Sequence, residues 1–165
     1  MTDAIAATIA LRSLTVAHTW WYHRRYGTVG HVWQGRFKSP LVETDEHLLT
    51  VVRYVESNPL RAGMVKDLKD YPWTSYGVHG LGRADDLITP MPCWEELRRT
   101  EAARQRYWRS WVYQPITQRE LDRIRRSVQS GIPYGSAAWA GRMSRALGIR
   151  LTPRPRGRPR KHAEI

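Results

Sequence analysis

His47 and Tyr54 stand seven residues apart in a stretch without glycine or proline. On a helix that spacing is two turns, so the two side chains share a face. Asn58 follows one turn beyond Tyr54. A tyrosine at the edge of a buried helix face can present its phenol to a cleft as a nucleophile. The same placement suits an amphipathic boundary tyrosine with its ring buried and its hydroxyl wet. Helix geometry by itself favours this second reading.

Two further groups of residues have the chemistry of nucleic-acid binding. The run Trp20-Trp21-Tyr22-His23-Arg24-Arg25-Tyr26 mixes rings with cations, and a few residues later Trp33 and Phe37 alternate with Gln34, Arg36 and Lys38. Unpaired bases stack on aromatic rings while cations follow the phosphates. The alternative is that the tryptophans are core residues, and the sequence alone favours it. Near the end, Pro155-Arg156-Gly157-Arg158-Pro159 is flanked by Arg154, Arg160 and Lys161. This matches an AT-hook core: a narrow A·T minor groove concentrates negative potential and attracts inserted arginine. A solubilising tail that binds phosphates without preference is the competing reading.

These residues must be held by particular elements. Residues 4–26 read as one helix ending at Gly27. Residues 31–42 have the two-residue period of a strand with one apolar and one cationic face, and Pro40 marks an edge or end of it. The plainest helix spans Asp45 to Ser57. Thr44 caps it, Asp45 and Glu46 sit at its positive end, and Leu48, Val52 and Val55 form its core stripe beside Leu49 and Val51. Pro59 is expected to end it by disfavouring helical geometry at Asn58. A short extended piece over Ala62–Val65 and an aromatic packing loop, Tyr71-Pro72-Trp73-Thr74-Ser75-Tyr76, follow. A helix is expected at about 94–112. A helical pair, Thr117–Gln129 and Ser136–Leu147, is broken by Gly131, Pro133 and Gly135; such a pair is more often a plain hairpin than a DNA-reading helix-turn-helix. The Arg/Pro/Gly-rich stretch 150–161 lacks the apolar content to order itself without a partner.

The 165 residues suffice for one domain plus a small appendage. Lys and Arg number 27 against 15 Asp and Glu, a formal charge of +12, which points to a polyanionic partner, nucleic acid before anionic membrane. Cys93 stands alone, so neither an internal disulfide nor a multi-cysteine zinc site can form. A reducing, cytoplasmic setting is expected. No run is long and apolar enough to span a bilayer, and Asp3 and Arg12 interrupt what would otherwise resemble a signal peptide.

Two segments taken together resemble a known family. Gly30-His31-Val32-Trp33-Gln34-Gly35-Arg36-Phe37-Lys38, followed by Arg53-Tyr54-Val55-Glu56-Ser57-Asn58-Pro59-Leu60-Arg61-Ala62-Gly63, is similar to the REP-associated tyrosine transposases of the single-tyrosine HUH superfamily. The Tyr71–Tyr76 segment and the Arg-Gly-Arg-Pro tail resemble theirs as well. The resemblance implies a helix tyrosine, here Tyr54, that attacks a DNA phosphate and forms a 5′-phosphotyrosine, with Asn58 in support. It further implies single-stranded or hairpin DNA as partner, a divalent metal (Mg or Mn), and DNA transposition by strand cleavage and rejoining.

One element of that pattern is missing. The family's metal site uses two histidines flanking one apolar residue on a strand, which aims both imidazoles at one metal. This chain has no His-X-His, and His18 and His23, five apart on a helix, do not replace it. The expected fold is therefore α+β: a partial ferredoxin-like domain of the HUH type lacking its first strands, then a helical basic C-terminal region. The expected divisions are 1–82 for the catalytic-domain remainder, 83–116 for a connector, 117–149 for a helical pair suited to DNA and 150–165 for the basic tail. DNA-binding candidates are Arg24, Arg25, Gln34, Arg36, Lys38, Arg154, Arg156, Arg158, Arg160 and Lys161. Two functions compete: a transposase acting through Tyr54, and a non-catalytic DNA-binding remnant without a metal site. A basic RNA-binding protein is a weaker third.

Overall fold

The computed structural model describes residues 2–35, 37–44, 46–149 and 151. The chain divides into two compact units, Met1–Phe37 and Lys38–Ile165.

The first unit is one long helix and a returning loop. Helix α1 spans Thr2–Tyr26. It has no internal proline or glycine, and it stops at Gly27, whose φ of +62° an L side chain adopts only with strain. Side chains then fix the return. His23 reaches Thr28 Oγ1 (3.0 Å) and the Gly30 carbonyl (3.1 Å) through its two ring nitrogens. The Trp33 indole N–H donates to Thr19 Oγ1 at 3.1 Å and lies 3.3 Å from the Thr15 carbonyl.

The second unit is helical. Helices α2 (Glu46–Arg61), α3 (Tyr76–His79), α4 (Glu101–Val112), α5 (Gln118–Ser130) and α6 (Ala137–Leu147) are joined by turns, with 3-10 turns at Leu68–Asp70 and Glu95–Leu97. Leu49, Leu68, Tyr76, Met91, Trp94, Trp108 and Val112 form its core, with α2 packed on α4. The α5–α6 pair is written in its caps. Thr117 and Glu120 make a reciprocal capping box, Ser136 caps α6, and Gly131 ends α5 in the left-handed region.

The expected α+β, ferredoxin-like fold is not what forms. The described residues contain helices and no sheet, and their one β-bridge joins Val42 to Tyr134. Residues 31–42 alternate like a strand, yet none of the described segments runs alongside as a ladder partner. Among the described ones, residues 32–35 form bends and 37–41 have no regular assignment, and pairing is limited to Tyr134 N–H on the Leu41 carbonyl (2.7 Å) and Glu43 N–H on the Tyr134 carbonyl (2.9 Å). A lone extended segment gains nothing from ladder hydrogen bonds that water supplies equally well.

Other local expectations are corrected too. Pro59 does not end α2, which continues to Arg61 with the proline ring buried. A proline so near the end removes only one helical hydrogen bond, and the helix closes firmly just beyond it. Gly63, at φ +68°, donates to the Leu60 carbonyl (3.1 Å) and Met64 donates to the Pro59 carbonyl (2.9 Å), the paired bonds of a Schellman cap. That cap occupies the place where an extended piece was expected at 62–65. The helix expected at 94–112 is split, because Arg98 is extended and Thr100 starts α4 afresh by accepting from Ala103 N–H.

Candidate functional site

The α2 helix sorts its own residues. The side toward the core carries Leu49, Arg53, Glu56, Ser57 and Pro59, all buried. Val55, expected in the core stripe, is half exposed at 52%. The stripe is rotated because it includes two charged residues, each accommodated by specific partners. Arg53 donates through Nη2 to the carbonyls of Gln114 (2.7 Å) and Pro115 (3.2 Å) and lies 4.7 Å from the Trp111 ring. Burial lowers its pKa, while the charge of Glu120 acts the other way.

Glu56, with no solvent exposure, is the centre of the second arrangement. Its Oε1 accepts from Ser75 Oγ and is paired with His79 Nδ1, both at 2.6 Å; its Oε2 accepts from the Trp108 indole N–H at 2.6 Å. The His79 ring packs against Trp94 and Trp108 with centroids 5.1 and 5.7 Å away. The two motif segments, 53–63 and 71–76, thus meet through one carboxylate. This is a structural junction sealed from solvent.

The other side of α2 presents Tyr54, Asn58 and Arg61, at i, i+4 and i+7 and hence on one face. Tyr54 is half-buried, whereas Asn58 and Arg61 are exposed. The Arg61 guanidinium stands 4.9 Å from the centre of the Tyr54 ring. The contact is a cation–π one, with the guanidinium over the ring. Sequence reading passed over Arg61, although its seven-residue spacing from Tyr54 was the same signal used for His47. His47 itself is about 10 Å along the axis from Tyr54. It packs edge-on against Tyr134 at 5.6 Å, with Nδ1 3.6 Å from Glu43 Oε2.

The residues present do not build the metal site of the resembled family. Among the described residues no group of three or more His, Cys, Asp or Glu side chains is placed to hold a metal ion. The α1 histidines are engaged otherwise: His18 packs on Trp33 at 5.3 Å and both His23 nitrogens are tied to the returning loop.

The nucleic-acid candidates divide between the units. On α1, Trp20 is 76% exposed, Trp21 55% and Tyr26 58%, so these rings are not core residues. Arg24 and Arg25 are exposed among them, and Arg25 lies 5.8 Å from the Tyr26 ring. Gln34 is exposed in the same unit, while Lys38, also exposed, opens the other unit. Arg36, Arg154, Arg156, Arg158, Arg160 and Lys161 lie outside the described residues. The α5–α6 pair adds exposed Arg119, Arg125, Arg126, Arg142 and Arg145. No helix among the described residues is long and apolar enough to cross a membrane.

Comparison with known proteins returns no match: no family model, no curated protein and no solved structure is similar to the chain.

Proposed function

We propose that this chain binds single-stranded or hairpin DNA and presents Tyr54 at the nucleophile position of a transposase-type site. The observation that carries the proposal is the exposed ring-and-cation surface of α1, where Trp20, Trp21 and Tyr26 stand in solvent beside Arg24 and Arg25. Large rings are left in water at a cost, and a stacking surface edged with arginine recovers it when unpaired bases and phosphates arrive. The formal charge of +12 supplies the long-range attraction. Support for the role of Tyr54 is its face, shared with Asn58 and Arg61, together with the motif resemblance.

Strand cleavage in the resembled family also uses a divalent metal, Mg or Mn, which polarises the phosphate. The described donors do not fit such an ion. That misfit favours a second reading, a DNA-binding remnant that does not cleave.

The test is incubation of the full chain with labelled hairpin-bearing single-stranded DNA and Mg²⁺ or Mn²⁺, resolved on denaturing and native gels. A salt-sensitive shift on the native gel is expected. A covalent band lost in Tyr54→Phe establishes the transposase reading, and a shift without a covalent band establishes the remnant. Absence of any shift overturns both, and tighter binding to RNA of equal sequence overturns the assignment to DNA.

A further inference from the structure

A pocket of about 420 Å³ opens beside the first turn of α2, between α4 and α5. It lies at the lower end of the size range for small-molecule sites and is too small for a duplex. On α4, Tyr107 and Trp111 contribute two rings lying nearly parallel, 6.0 Å apart and tilted by 21°. Arg98 covers Tyr107 at 4.0 Å from its centroid. Tyr134, buried, adds a third ring to the lining, with the Arg123 guanidinium 5.1 Å from it. Burial raises the Tyr134 pKa above the ordinary phenol value. The polar lining is mixed: His47 and the Arg123 guanidinium stand with two carboxylates, Glu46 and Glu120, the latter fixed through Oε2 by the Thr117 cap.

We propose that this pocket receives a single unstacked nucleobase of single-stranded DNA and selects one with an exocyclic amino group. The inference rests on the DNA-binding reading and adds the element of that DNA which is recognised. Rings lining a concavity favour a flat heterocycle. The carboxylates accept amino N–H groups, as acidic side chains do from cytosine N4. Uracil offers carbonyl oxygens at the corresponding edge and meets the carboxylates with like polarity. The phosphates on either side of the bound base stay outside, on the side of α5 where Arg119 and Arg126, four residues before and three after the lining Arg123, are exposed.

The test compares fluorescence-labelled oligo(dC) and oligo(dU) of about 12 nucleotides, which differ at the pyrimidine edge and not in stacking area. Anisotropy titrations of the full chain at fixed salt are expected to give about tenfold tighter binding of oligo(dC). Tyr107→Leu is expected to weaken oligo(dC) binding about tenfold. Glu46→Gln, an exposed change with little consequence for folding, is expected to erase most of the preference while leaving oligo(dU) affinity equal or higher. Equal affinities for the two oligonucleotides in the unmodified chain, or a preference that survives Glu46→Gln and Tyr107→Leu alike, overturn the pocket assignment while leaving DNA binding intact. If neither oligonucleotide binds at all, it is the DNA-binding reading that fails, and the pocket assignment with it.

Discussion

Glu56 and His79, 23 residues apart in sequence, meet at 2.6 Å with side-chain exposures of 0% and 5%. The same carboxylate accepts from Ser75 and Trp108, so α2, the start of α3 and α4 are held at one point. Interactions of this kind add little over a well-packed apolar core when intact, and cost heavily when one member is removed. A glutamate in a motif that resembles a catalytic family is thereby assigned to architecture.

Replacing Glu56 by alanine leaves Ser75 and the buried His79 and Trp108 without their shared carboxylate. The expected loss of stability is about 3–5 kcal/mol, read as a fall in the urea midpoint. Glu56→Gln puts an amide N–H against one of those donors and is expected to lose about 1–3 kcal/mol. A midpoint unchanged in both variants would show that the junction does not hold the helices together.

Asp67 carries a pH dependence of definite sign. The Tyr113 hydroxyl donates to it at 2.5 Å and Lys69 stands 3.0 Å away; together with the Lys69 backbone N–H they lower its pKa from 3.8 to about 2. A depressed carboxylate contributes stability above its unfolded value and loses that contribution as pH falls through the folded one. The difference in midpoint between the unmodified chain and Asp67→Asn is therefore expected at pH 5 and should vanish between pH 4 and 2. A difference that persists unchanged at pH 2 contradicts the pairing.

The capping box at the start of α5 gives a local prediction. Thr117 accepts from Glu120 N–H and donates to Glu120 Oε2 at 2.8 Å. Thr117→Ala is expected to cost about 1 kcal/mol, with Thr117→Ser close to neutral. Equal losses in the two variants would place the role of the threonine in its methyl group instead.

Arg24 and Arg25 are testable through salt. For single strands the slope of log K against log salt is about 0.7 per phosphate neutralised. Replacing both arginines by alanine is expected to lower the magnitude of that slope by about 1.4 for single-stranded DNA. An unchanged slope, with the rings still in place, moves the phosphate contacts to other cations.

Much of the helical skeleton was legible because its signals are local. Thr117, Ser136 and Gly131 announce the ends of α5 and α6 through backbone chemistry that operates within one turn. The α2 stripe was misread by about one position because Arg53 and Glu56 are buried and Val55 is not. No count of apolar residues finds a charge whose partners lie 52 or 61 residues away. The strand expected at 31–42 failed for a related reason: alternation reports which residues can face one way, and a ladder requires a second strand that local pattern does not reveal. In the candidate site, the face of Tyr54 and Asn58 was readable from spacing, and Arg61 was readable in principle. The pocket behind α2 was not, since its walls come from three helices.

The tether between Glu43 and the start of α6 bears on how the chain reaches this state. Ser136 donates its N–H to Glu43 Oε2 at 2.7 Å, a contact that closes a separation of 93 residues. The entropy of such a closure is on the order of 4 kcal/mol. The α5–α6 pair, stapled by its own caps, can form on the microsecond scale of local helices, whereas its seating on residues 41–44 must wait for the intervening chain to condense. Docking of that pair is then expected to be the last event in refolding and the first to reverse, so the amide protons of Glu43 and Tyr134 would exchange before those within α2 and α4.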